Sequence, residues 1–320
     1  MKIKVTKNRK FCFAISLALI LVGVISLCTL GLNLGIDFTG GVIMTVDMNQ
    51  PFDVSDVRQV LVDHKVNDAP VSKSGETEAV IRMQDTGDAN DQSDVRDAIF
   101  EDLKAIAPGA EVRQVERVGE IAGADLIRNA ALSVAIACVL MLIYISFRFT
   151  FMSGVTAVLA LIHDVFLMVA VVSLFQLRIN SSFIAACLTI IGYSINNTIV
   201  IFDRIRDNLK RTPAAQLDRG VIVDLSVNQS MTRSINTSVT TILTIGMVAL
   251  LGVDSIREFT IPILAGLVVG TYSSIFIAPS LWAVLSDFAA KRKGHHASGQ
   301  KKGQKKTASG YVGAVKKAKA

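Results

Sequence analysis

Six long apolar runs are separated by polar segments along the chain. As a helix, each run can cross a hydrocarbon core of about 30 Å, which takes roughly 20 residues. Helices satisfy their own backbone hydrogen bonds, so they are the open-ended structures expected in lipid. The pattern predicts an α-helical polytopic membrane protein with six transmembrane helices. The runs are Phe11–Leu32, Asn129–Phe147, Phe151–Phe175, Phe183–Phe202, Ser234–Val253 and Ile261–Leu285.

The polar segment between the first two runs has the periodicity of a small folded domain. Alternating stretches predict strands and helical spacing predicts helices, in the order βαββαβ. This order is typical of a ferredoxin-like α+β fold. We therefore expect residues 33–128 to form one such domain, with a free sheet face. The predicted elements are Gly41–Met48, Asp53–His64, Ala69–Ser72, Thr77–Met83, Ser93–Ala107 and Glu111–Val118.

Composition supports a membrane protein and excludes a disulfide scaffold. The chain is 51% hydrophobic and has a mean hydropathy of +0.48, which water-soluble domains rarely reach. The four cysteines, Cys12, Cys28, Cys138 and Cys187, all lie within apolar runs, where they serve as small packing residues. No Cys or His spacing predicts a metal site, and we expect no cofactor.

Charge divides the chain between the two sides of the membrane. Basic residues next to spans mark the cytoplasmic side. Residues 1–10 carry five of them, the loop Asp203–Arg233 carries six, and the tail Lys291–Ala320 carries ten and no acid. The segment from Asn33 to Gly123 has 18 acidic and 8 basic residues. We expect residues 1–10 and a disordered tail at 286–320 to be cytoplasmic, and residues 33–128 to be extracytoplasmic.

Two adjacent polar residues, His163 and Asp164, fall deep within the third run. An ionised carboxylate in hydrocarbon costs several kcal/mol unless it is paired or protonated. Asp164 is therefore either a proton-accessible site or a structural pair, held by His163 or by a hydroxyl of a neighbouring span.

Three further intramembrane candidates are Asn196, Asn197 and Arg233. The two amides cannot titrate, so hydrogen bonding between helices is the favoured interpretation for them. Arg233 stays charged. It lies inside the bundle if the fifth helix begins before Ser234, and is a cytoplasmic anchor if the helix begins there.

Two motifs lie at the membrane boundaries. The glycines after the first run permit turns that other residues cannot make. The simplest interpretation of the charged residues after the fourth run is that they anchor the membrane topology. The residues concerned are Gly35, Asp37, Phe38, Gly40 and Gly41 in the first motif, and Asp203, Arg204 and Arg206 in the second.

Together these segments resemble the SecF family of protein-export membrane proteins, within the resistance-nodulation-division (RND) superfamily. The matching stretches, in chain order, are GIDFTGG, VGEIAGADLIRNA, HDV, GYSINNTIVIFDRIRDN and SMTRSINTSVTT. The resemblance implies an RND-like half bundle of six helices with an external ferredoxin-like domain, in the bacterial plasma (inner) membrane. It implies a translocation subunit driven by the proton-motive force, not an enzyme.

The resemblance also implies partners. SecD supplies a similar six-helix half, and the complex assists the SecYEG channel after SecA has pushed the chain in, so the unfolded exported polypeptide is a partner too. YajC- and YidC-like proteins are further candidates within that assembly. The basic tail fits anionic lipid or the ribosome, or serves only solubility and topology; DNA is not an expected partner.

One position departs from the family pattern. The family often has Asp where this chain has Asn197, at a position implicated in proton coupling. Any proton site then rests on Asp164, on a SecD carboxylate, or on both. Arg233 matches the family's intramembrane arginine, which implies an acidic partner on SecD. Two alternatives stay open: half of a small-molecule exporter, and an assembly factor without energy coupling.

The charge distribution generates a topology prediction. Cysteines introduced into the loop Asp203–Arg233 or the tail Lys291–Ala320 should react only with reagents that enter the cytoplasm, whereas cysteines within Val42–Gly119 should react from outside. Labelling of whole cells with an impermeant maleimide checks this. Labelling of the tail from outside would contradict the topology.

Overall fold

The computed structural model describes residues 4–66, 69–84, 89–212 and 218–289. Within that part, six helices are long and apolar enough to cross a membrane, which confirms the predicted number. The predicted basic tail Lys291–Ala320 lies outside the described residues. In chain order the helices are α1 Arg9–Thr29, α2 Ile36–Thr39, α3 Val54–Asp63, α4 Ala89–Ile106, α5 Glu120–Arg148, α6 Phe151–Leu174, α7 Ser181–Arg211, α8 Arg219–Leu251 and α9 Asp254–Tyr272.

The α+β domain is a four-stranded antiparallel sheet in the order β2-β3-β1-β4, the arrangement of the predicted ferredoxin-like fold. Alternate residues of the central strands, among them Met44 and Ile81, pack under α3 and α4 against Leu61 and Leu103. β2 begins two residues later than predicted and α4 four residues earlier. The strands are β1 Gly41–Asp47, β2 Val71–Ser74, β3 Glu78–Gln84 and β4 Glu111–Val118.

In the membrane bundle, α7 packs against α6, α8 and α9, and α1 packs against α6. About half of α6, α7 and the sixth span is buried, whereas α5 and α8 are mostly exposed. The sixth span is longer than α9, because a single π-helical turn, Ser273–Ile277, follows α9 and the helix continues to Ala289. Such turns are frequent at functional sites.

The region predicted as the loop Asp203–Arg233 is largely helical, which corrects the sequence interpretation. α7 has 31 residues and α8 has 33, so each is roughly 46–50 Å long and extends well beyond a 30 Å hydrocarbon core. A hydrogen bond joins the two extensions, since Asn208 Nδ2 of α7 donates to Ser226 Oγ of α8 at 2.8 Å. The start of α8 is capped by Asp218, which accepts from Gly220 N at 2.8 Å.

The glycine-rich motif joins the domain to the bundle. It forms the short helix α2, which packs against α5. Gly40 and Gly41 leave it with φ of +81° and +155°, in the region that favours glycine. A Cβ on Gly123 of α5 would lie 2.3 Å from the Phe38 carbonyl oxygen. Because Gly123 has no side chain, the backbone of α5 can approach the backbone of α2 closely at this contact.

Gly41→Ala should loosen this joint. An added Cβ would lie 2.2 Å from the Met83 carbonyl oxygen at a φ that L-residues avoid, so we expect a loss of about 1–3 kcal/mol. Thermal unfolding of the purified protein in detergent measures it. The control is Gly246→Ala, because nothing lies within 4 Å of the position that its Cβ would occupy; equal stability of the two variants would show that the joint tolerates a side chain.

Candidate functional site: the intramembrane polar network

Asp164 lies in the middle of α6, on the face that packs into the bundle. Its exposed fraction is 0%, and the neighbouring His163 side chain is 9% exposed. It is the fourteenth of 24 residues in α6, so it lies roughly 15 Å from the end of the helix at Leu174. Water is distant at this depth, and the carboxyl group depends on protein partners.

Two partners hold the Asp164 carboxyl group. His163 Nδ1 lies 2.9 Å from Asp164 Oδ1, and Ser194 Oγ of α7 donates to Asp164 Oδ2 at 2.5 Å. Gly270 of α9 keeps this place open, since a Cβ there would lie 3.2 Å from Ser194 Cβ and 3.7 Å from Asp164 Oδ2. Both partners foreseen for Asp164, the histidine and a neighbouring hydroxyl, are therefore present.

The other nitrogen of His163 leads to α1 and α9. His163 Nε2 lies 3.1 Å from Ser16 Oγ, and Ser16 Oγ lies 3.5 Å from the Tyr272 hydroxyl. Tyr272 donates to the Cys12 carbonyl oxygen at 2.9 Å. Sequence reasoning missed Ser16 and Tyr272; the only signal was a hydroxyl side chain within the first span and another within the sixth.

The direction of these hydrogen bonds limits where protons can be. Tyr272 gives its single proton to Cys12 O, so the contact between the two hydroxyls needs Ser16 as donor. Ser16 then accepts from His163 Nε2. The 2.9 Å contact between His163 Nδ1 and Asp164 Oδ1 needs a proton between these two atoms.

Asn196 and Asn197 lie in different environments, although the sequence analysis gave both the same role in hydrogen bonding between helices. Asn197 is buried, and Asn196 is on the exposed face of α7, because adjacent helical residues point about 100° apart. Asn197 Nδ2 has no hydrogen-bond partner in the described part of the chain, and neither has the hydroxyl of Tyr193 one turn earlier. The buried amide is thus not used as a bond between the described helices.

Arg233 lies within α8, since that helix begins at Arg219 rather than at Ser234. Its side chain is nevertheless exposed on the outer face of the bundle. It borders a cavity of 280 Å³ with Arg148, Ile199 and Asp203, at the ends of α5 and of the apolar part of α7. No carboxylate lies within 4 Å of it among the described residues. Arg233 is therefore at the membrane boundary, open to a partner.

The charged motif at the end of α7 binds neighbouring helices. Arg204 Nε donates to Gln229 Oε1 of α8 at 2.8 Å, and Arg206 Nη1 donates to the Arg148 carbonyl oxygen of α5 at 3.2 Å. Asp203 is exposed. The two arginines tie three helices together at one membrane face, which is more than the anchoring role predicted for them.

The glycine-rich motif reaches the opposite end of α7. Asp37 Oδ2 accepts a hydrogen bond from Ser181 N at 2.7 Å, at the first residue of α7. Gly35 N donates to the Ile179 carbonyl oxygen at 2.7 Å, and Phe38 is buried between α2 and the bundle. α7 therefore contacts the domain joint at one end, Asp164 at its middle, and the arginine contacts at its other end.

Comparison with known proteins gives consistent matches. The family model for the C-terminal part of the protein-export membrane proteins SecD and SecF matches residues 99–287, and the model for the SecD/SecF GG motif matches residues 25–51. Protein translocase subunit SecF of Acidaminococcus fermentans is 39% identical over 285 residues, 88% of this chain and 96% of that protein.

Fused proteins also match. Protein translocase subunit SecDF of Bacillus subtilis is 37% identical over 87% of this chain, which spans 37% of that longer protein. The crystal structure of SecDF from Thermus thermophilus, described as a translocon-associated membrane protein, superposes with a TM-score of 0.73 at 32% identity, over 90% of this chain and 39% of the SecDF chain. A super-membrane-facing form of SecDF gives 0.68 at 31% identity, over 93% of this chain and 40% of that one.

Proposed function

The chain belongs to the SecD/SecF family of protein-export membrane proteins, and from that premise we propose that it uses the proton-motive force to assist protein export. Its role in the family is that of SecF, a translocase subunit of the Sec pathway. The observation that carries the energy coupling is the buried His163–Asp164 pair, hydrogen-bonded on both sides.

SecD is the partner that completes the bundle. In the fused relative SecD and SecF are one chain, and this protein spans 37% of it. The exposed side of α8 carries polar residues three or four positions apart among apolar ones: Arg233, Asn236, Thr240 and Thr244. A polar stripe exposed to lipid is costly, and a second bundle packed on it removes that cost.

Burial of the network explains how a proton can do work. A proton lies between His163 Nδ1 and Asp164 Oδ1, and any net charge that its gain or loss leaves on the pair is costly in hydrocarbon. A proton arriving at the pair therefore has to displace the resident one or force the surrounding helices to rearrange. Ser194 lies on one side of the pair, and Ser16 and Tyr272 on the other.

The path through Ser16 and Tyr272 leads towards the side with the N-terminus. It ends at the carbonyl of Cys12, the fourth residue of α1, about one helical turn from the end of that helix. Basic residues before α1 support a cytoplasmic location for this end. A proton that leaves the pair towards Ser16 and Tyr272 would move inward, in the direction of the gradient. The Cys12 carbonyl only orients the Tyr272 hydroxyl, because an amide oxygen does not carry a proton onward. The α+β domain stays on the outer side with the exported polypeptide and the SecYEG channel.

Asn197 supports a second candidate function, an assembly factor without its own energy coupling. A buried amide at this position cannot carry a proton, and it leaves Asp164 as the buried carboxyl group among the described membrane residues. The two functions differ in one variant, because an assembly factor does not need a titratable group at Asp164.

Asp164→Asn should abolish the stimulation of export by a proton gradient and leave assembly with SecD intact. The amide can still accept from Ser194 and bond to His163, but it cannot take part in proton transfer. Export into vesicles containing SecYEG, SecA, SecD and each variant, with and without a gradient, measures the effect. Asp94→Asn, at an exposed carboxylate of α4, is the control. Full stimulation with Asp164→Asn would favour the assembly factor.

Arg233→Met should also abolish stimulation, because a SecD carboxylate near Arg233 would lose the charge that keeps it ionised. Arg233→Lys keeps the charge but loses the planar fork, so partial stimulation is expected, and Asn197→Asp should be tolerated. Export into the same vesicles measures these effects. The control is Arg211→Met, at the exposed end of α7. If Arg233→Met assembles normally with SecD and export is still stimulated normally by the gradient, Arg233 is only a surface anchor.

A further inference from the structure

Two cavities meet where the α+β domain rests on the membrane bundle. The first, of 290 Å³, is lined by Asn33, Pro70, Gln84 and the segment Leu34–Ile36, together with two arginines. The second, of 410 Å³, adjoins it and includes Asp37, Glu116 and Glu258. Arg82 of β3 and Arg178 of the turn between α6 and α7 line both cavities. One arginine therefore comes from the domain and the other from the bundle.

Both arginines are held by ordered surroundings. The turn carrying Arg178 is bonded to the segment after α1: Ile179 N donates to Asn33 O at 2.8 Å, and Gly35 N donates back to Ile179 O at 2.7 Å. The Arg178 stem runs over Gly35, whose added Cβ would lie 3.6 Å from Arg178 Cγ. Arg82 Nη1 donates to Ser72 Oγ at 3.1 Å.

The two guanidinium groups are poorly neutralised. Arg178 Nη1 lies 3.8 Å from Glu258 Oε1, well beyond the roughly 2.7–2.9 Å of a charged hydrogen bond. The other oxygen of Glu258 already accepts from Asn180 Nδ2 at 2.7 Å. Arg82 has no carboxylate within 4 Å in the described part of the chain. Desolvation lowers the pKa of Arg178, the charge of Glu258 partly opposes this, and the charge of Arg82 adds a smaller lowering.

We propose that the first cavity binds a phosphate group between Arg82 and Arg178. The described residues around it include these two cations and no carboxylate, whereas the acids of the second cavity keep an anion out of that space. Guanidinium groups bind phosphate oxygens in pairs. This site is independent of the proton path and lies on the domain side of the bundle.

A phospholipid headgroup and free phosphate share this chemistry. Arg178 is in the short turn between two membrane helices, between Leu174 and Ser181, so the cavity is at the level of the headgroups. A phosphate there would cancel the repulsion between the two arginines and tie β3 to the turn between α6 and α7.

The experiment uses the full chain assembled with SecD, delipidated in detergent. One arm adds phosphatidylglycerol and counts retained lipid by native mass spectrometry; the other adds inorganic phosphate and follows its broadening by ³¹P NMR. We expect saturable binding that falls at least tenfold in Arg82→Gln/Arg178→Gln and persists in Arg58→Gln, an exposed arginine of α3. Arg82→Lys/Arg178→Lys should retain part of the binding, which separates loss of charge from loss of fold.

Each outcome decides the proposal. Saturable lipid binding alone assigns the site to a headgroup, and saturable binding of inorganic phosphate assigns it to a free anion; both support the site. Binding of neither probe, or binding unchanged in the double Gln variant at normal assembly with SecD, overturns it.

Discussion

A carboxyl group at the centre of a membrane bundle has to be neutral or fully paired, because hydrocarbon offers it no water. Asp164 meets this requirement with a histidine on its own helix and a serine on α7. The histidine in turn contacts α1 and, through Ser16, reaches α9. One costly group thus fixes the mutual rotation of four helices, and it places the hydrogen bond between His163 and Asp164 where those helices meet.

Helix α7 connects this centre to the rest of the protein. Its first residue bonds to Asp37 of the domain joint, its middle bonds to Asp164, and its last turns bond to α5 and α8. A helix is stiff along its axis, so a shift of Ser194 moves both ends. The joint transmits such a shift to the α+β domain, since Gly123 of α5 packs on the Phe38 backbone of α2, and Gly41, where β1 begins, packs on the Met83 backbone of β3. This continuity links a proton in the membrane to a domain outside it.

Hydrophobic patterning predicts the spans and the ferredoxin-like domain because burial acts on whole faces and long runs. It predicts contacts between helices poorly. His163 and Asp164 stand out as polar residues in lipid, but Ser16 and Tyr272 become their partners only through helix rotation and crossing, which hydropathy does not determine. The same limit explains why Asn196 and Asn197 diverge, and why polarity predicts a loop where α7 and α8 extend through Asn208 and Ser226. There, hydrogen bonds between neighbouring helices maintain structure that polarity alone does not indicate.

The central claim is that the gradient moves the proton shared by His163 and Asp164. Infrared difference spectroscopy of the complex with SecD in vesicles, recorded before and after a pH gradient is imposed, tests it directly. We predict a change in a protonated-carboxyl band that is absent from Asp164→Asn and survives in Asp94→Asn. A difference spectrum that is identical in the wild type and Asp164→Asn, under conditions where the gradient stimulates export, would contradict the claim.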